Sequence, residues 1–172
     1  MKHITIGLLA VLALSIDGWG CAPYPPEWDE EHTDGSVLVG RDYYTVQPAP
    51  EGMGAALGSA LDRWARATCL PLSVGTDGLM TLRAVDDLPG GQSGNTIRKG
   101  TRVSIRVVTG MTMPWTASVI THELYHALAL RDDHPSDGVC QAVLRNPDEP
   151  ITESCLERVC SVQPCHCFEP EM

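Results

Sequence analysis

Residues 122–126 read His122-Glu123-Leu124-Tyr125-His126, the H-E-x-x-H pattern. On a helix each residue turns about 100° and rises about 1.5 Å, so the two histidines fall about 40° and about 6 Å apart. Two imidazoles on one face, one turn apart, can share a metal ion, zinc above all. Glu123 lies about 100° round from His122, where a carboxylate reaches a metal-bound water and serves as general base. The pattern therefore supplies two ligands and a base, provided the segment is helical.

The residues before the pattern favour a helix. Pro114 suits a first helical turn, where its missing N–H costs nothing. Thr112 or Met113 would cap it, Thr112 being the better residue type. Val119, Leu124 and Leu128, with Ile120 and Ala127, repeat at helical spacing. That stripe should face a core while the histidines face a cleft.

The continuation is Ala127-Leu128-Ala129-Leu130-Arg131-Asp132-Asp133-His134-Pro135, ending in Gly138-Val139-Cys140. Here the chain resembles the metzincin metallopeptidases, the matrixin-like group in particular, whose pattern is H-E-x-x-H-x-x-G-x-x-H followed by a Met-turn. Ala129 stands at the family's glycine, where a left-handed backbone would cost alanine about 1 kcal/mol or more. Asp132 stands at the third-ligand position, and a carboxylate is a legitimate zinc ligand. His134 is the rival third ligand and needs a slightly longer loop; the register favours Asp132. Asp133 reads as a solvent or supporting carboxylate. Cys140 falls eight residues after Asp132, where the Met-turn methionine is expected. In either register the helix must end soon after His126, because a continued helix would carry Asp132 about 15 Å along the axis from His122.

The 172 residues suffice for one domain of ordinary size. Residues 1–20 read as a signal peptide: a short basic start, then an apolar run at 4–16 too short to span a bilayer. The next residue, Cys21, follows a small residue, as in bacterial lipoprotein signals, and is the expected lipidation site. Ordinary cleavage near Gly20 or Ala22 is the alternative. The product is then an exported envelope lipoprotein or a secreted protein. Residues 21–35 are rich in proline and acids and read as a tether. Setting Cys21 aside leaves Cys69, Cys140, Cys155, Cys160, Cys165 and Cys167, an even set suited to three disulfides in an oxidising compartment. Cys69 and Cys140 are expected to tie the domain to the cysteine-rich end at 151–172. A zinc ribbon is the weaker reading of that end, because its cysteines are not paired as C-x-x-C.

Twelve basic and 22 acidic residues give a net charge of −10, and no basic run offers a nucleic-acid footprint. Strand material lies at 36–39, 43–46, 69–74, 79–85 and 102–108, and a helix with Leu57, Leu61 and Trp64 on its buried side at 52–68. Residues 89–95 read as a loop, and 151–160 as a C-terminal helix capped by Thr152. The order implies an α/β (α+β) fold with a mixed sheet and two main helices over 36–172, like the small catalytic domain of metzincins.

The resemblance implies a zinc endopeptidase with one Zn2+ per chain, held by His122, His126 and Asp132, with Glu123 activating the attacking water. Its partner would be a protein or peptide substrate, and the membrane would be met only through Cys21. In that family the substrate pairs with an edge strand, which must lie between residues 79 and 109. Two rivals stand beside it: a non-catalytic zinc- or protein-binding surface lipoprotein on the same scaffold, and a disulfide-stapled lipoprotein in which the pattern is accidental. Substrate specificity and oligomeric state have no readable signal.

Overall fold

The strand pairs with the best alternation form the centre of the sheet. In the computed structural model, which describes residues 44–167, five strands run β1 (Thr45–Val46), β2 (Ser73–Val74), β3 (Met80–Val85), β4 (Gly94–Lys99) and β5 (Arg102–Val108). Their spatial order is β2-β1-β3-β5-β4. The β1/β2, β1/β3 and β3/β5 pairs are parallel, whereas β4 runs antiparallel to β5 and forms one edge. The sheet is thus mixed and the fold α/β, as expected. The segment expected as a strand at 36–39, the tether and Cys21 lie outside the described residues.

Three helices complete the described chain: α1 (Gly54–Thr68), α2 (Met113–Ala129) and α3 (Glu153–Cys160). Parallel strands need a crossover, and α1 supplies the one between β1 and β2. Leu57, Leu61 and Trp64 are all buried, as their spacing implied. The Trp64 indole N–H also donates to the Thr121 carbonyl at 2.8 Å, fixing α1 against the turn of α2 that precedes His122.

The α2 helix departs from the expected amphipathic pattern. Thr112 sits at its N-cap and Pro114 in its first turn, but every residue from Thr116 to Ala129 is buried. A helix buried on all sides belongs to the centre of a domain. It packs on β4 and β5, on α1 and on α3. His122 and His126 are buried with the rest of the helix, at 2% and 5% exposure.

Three disulfides hold the rest: Cys69–Cys167, Cys140–Cys155 and Cys160–Cys165. Cys69 and Cys140 do join the core to the cysteine-rich end. Three such bonds point to an oxidising environment. Among the described residues no helix is long and apolar enough to cross a membrane.

Candidate metal centre

His122 and His126 face each other one turn apart on α2, with their Nε2 atoms 3.1 Å apart. Each ring is anchored through its other nitrogen. The Nδ1 of His122 lies 2.7 Å from the Val139 carbonyl, and that of His126 lies 2.9 Å from the Arg131 carbonyl. A carbonyl only accepts, so both Nδ1 atoms carry the proton and both Nε2 atoms present lone pairs. Neither Nε2 can donate to the other.

His134 completes the group. Ligand atoms of His122, His126 and His134 all lie within 4.8 Å of one another. The His134 ring stacks on His122 and meets His126 edge-on. Its Nε2 is buried without a hydrogen-bond partner. Converging lone pairs, anchored from behind by carbonyls and left with an orphaned nitrogen, fit a cation. Burial favours the same state. Burial first, then the neighbouring His126, holds His122 well below the ordinary value of 6.5. Burial brings His126 to about 4 against the opposing pull of the Arg131 carbonyl, and burial also lowers His134. Neutral imidazoles are the form that binds metal.

The cluster brings His134, the rival, to the histidine pair, whereas Asp132, favoured by register, is exposed and outside it. The reason lies in the helix end. Ala129 is still helical, and the left-handed residue is Leu130, at φ 57° and ψ 30°. The exit comes one residue later than the family pattern implies. Ala129 thereby escapes the strain expected of it, and the penalty of about 1–2 kcal/mol falls on Leu130. The chain then returns to the histidine pair at His134.

The returning loop is held by contacts with no sequence signature. The Tyr125 hydroxyl, from a free position of the motif, donates to the Asp133 carbonyl at 2.8 Å. Arg158 on α3 pairs with the Asp133 carboxylate, so Asp133 supports the loop carrying His134. The end of α2 is satisfied from outside: Gln163 donates to the Leu128 carbonyl at 2.7 Å, and Arg98 reaches the His126 and Ala127 carbonyls at 3.4 Å. Such groups meet the orphan carbonyls of a helix end.

Below His122, Gly138–Cys140 forms a tight turn whose Val139 carbonyl is the anchor already described. Gly138, at φ 65°, is required there, since a Cβ would lie 2.6 Å from the Pro150 carbonyl oxygen. Cys140, expected to replace a methionine, is buried and bonded to Cys155 of α3. The disulfide staples the turn to the helix that also holds the Asp133 loop.

Glu123 points to the β4 side of α2. It is 1% exposed. The Thr96 hydroxyl lies 2.8 Å from its Oε2 and 2.9 Å from its backbone carbonyl. Gly94 makes this approach possible, because a Cβ there would stand 2.8 Å from Glu123 Oε1 and 2.6 Å from Val119 Cγ1. Residues 89–95, read as a loop, contain only a short helical turn at Pro89–Gly91, and β4 begins at Gly94. The edge strand beside the candidate base was therefore missed. Its glycine and asparagine are poor strand formers, and only the Thr96-Ile97 pair hinted at it.

No family model matches the chain, and no curated protein matches it.

Proposed function

We propose that the chain is a metal-dependent peptide hydrolase, a zinc endopeptidase of metzincin type, in which His122, His126 and His134 hold the ion and Glu123 is the general base. The observation that carries this reading is the convergence of three neutral, carbonyl-anchored or orphaned imidazoles, with Glu123 next in sequence to His122 on the same helix. Zinc held by three protein ligands acts as a Lewis acid and makes water more acidic. The chain's own contributions follow from geometry. The Val139 and Arg131 carbonyls hold two rings in the ligating tautomer. Thr96 orients the Glu123 carboxylate, which accepts a proton and returns it to the leaving amine. A substrate laid along the open edge of β4 would pass the helix face that carries Glu123, since Gly94 and Thr96 of that strand touch this side chain. Three neutral imidazoles would add no negative charge to a bound ion, where an aspartate ligand would add one.

The exported setting belongs to the same proposal: the disulfides fit it, and a lipid on Cys21 or free secretion would both deliver it. The test is the Glu123→Gln variant. It should keep about one zinc per chain and lose peptide hydrolysis by at least about 100-fold, as for general-base removal. Full hydrolysis by that variant would overturn the assignment. Intact metal content with no hydrolysis by the wild type would favour a non-catalytic binding module, a reading to which the deep burial of Glu123 lends support.

A further inference from the structure

Among the described residues, the helices pack on one face of the sheet only, and the opposite face is basic. Alternation along the strands sends Val103, Ile105 and Val107 into the core. Arg102, Ser104 and Arg106 then project to the opposite face. Arg83 and Thr81 of β3 and Lys99 of β4 join them around a groove of about 580 Å³. The groove carries four cationic side chains and a single carboxylate, Asp77, in a chain whose net charge is −10.

The register sharpens the point. Arg83 is the direct cross-strand partner of Arg106, and Lys99 of Arg102. Like charges directly opposite one another destabilise a sheet. No described carboxylate forms an ion pair with any of the four, although acids outnumber bases almost two to one. The two cationic rows are four residues apart along β5, about 13 Å. Thr81 and Ser104 lie between them, paired in register. Two opposed pairs at that spacing match a chain of anionic groups, and guanidinium forks bind phosphate oxygens bidentately.

We propose that this outer face is a binding site for a ligand carrying several phosphate-type oxyanion groups, separate from the histidine cluster. Bound oxyanions convert both like-charge pairs from repulsive to bridged. The ligand is either free in solution or the headgroup layer of an anionic bilayer, and the test separates these sources. The purified protein is titrated with inorganic tripolyphosphate at low salt, and separately sedimented with phosphatidylglycerol vesicles. Saturable binding of tripolyphosphate, weakened about tenfold by Arg83→Gln and again by Arg106→Gln with zinc content unchanged, supports the site and a soluble ligand. Sedimentation with vesicles, lost in the same variants while tripolyphosphate fails to bind, supports the site and a headgroup source. Without anion, Arg83→Thr should melt about 1–4 °C above wild type through relief of repulsion. Binding of neither probe, or equal binding by wild type and the double variant, overturns the proposal.

Discussion

Two histidines of the cluster are each set by one contact behind the ring. His122 leans on a carbonyl of the Gly138–Cys140 turn and His126 on a carbonyl of the returning loop. His134 rides on a loop held by Tyr125 and Arg158. Burial lowers all three below 6.5, and His126 to about 4. The unfolded chain then binds more protons than the folded one between those values, so stability rises with pH there. This contribution is complete above about pH 6.5 and is lost as pH falls towards about 4. Metal-free protein should accordingly melt at progressively lower temperature across that window. A melting temperature that rose on acidification would contradict the buried neutral cluster.

At the scale of elements, the site depends on how closely β4 approaches α2. Gly94→Ala places a methyl against Val119 and the Glu123 carboxylate. Overpacking of this kind should cost about 1–3 kcal/mol, measured by chemical unfolding. It should also reduce any hydrolysis more than it reduces zinc content, because the displaced group is the proposed base and not a proposed ligand. Unchanged stability would mean that the strand stands off the helix. These elements were unequally legible in the sequence. The α1 and α2 helices and the β3 and β5 strands announced themselves through periodicity and end signals, and their observed bounds differ by at most two residues. The histidine pair followed from the same helical period. β4 did not, because its place is set by antiparallel pairing with β5 and by a glycine whose value is close approach. His134 joins the cluster in place of Asp132 for a related reason: motif spacing puts the left-handed turn at 129, whereas Leu130 takes it. Backbone carbonyls as anchors have no residue type, so the support of His122 and His126 left no trace to read.

Over the whole molecule, disulfides carry the link between the core and the C-terminal end. Cys69–Cys167 spans 98 residues, Cys140–Cys155 spans 15 and Cys160–Cys165 spans 5. Loop-closure entropy ranks their stabilisation at roughly 4.7, 3 and 2 kcal/mol in that order. Paired serine substitutions should follow this ranking in denaturant unfolding, and a reversed order would show that the loop entropy is not the controlling quantity. Charge is also partitioned at this scale. A molecule of net charge −10 gathers four of its 12 basic residues on one sheet face, while the histidine cluster is uncharged, with His122 and His126 buried and His134 half-buried.

The most direct measurement is the zinc content of the purified protein in wild type, His134→Ala and Asp132→Ala. About one zinc per chain is expected in wild type and in Asp132→Ala, and its loss in His134→Ala. Zinc retained by a folded His134→Ala protein but lost with Asp132→Ala, or a folded wild type that takes up no metal at all, would contradict that expectation.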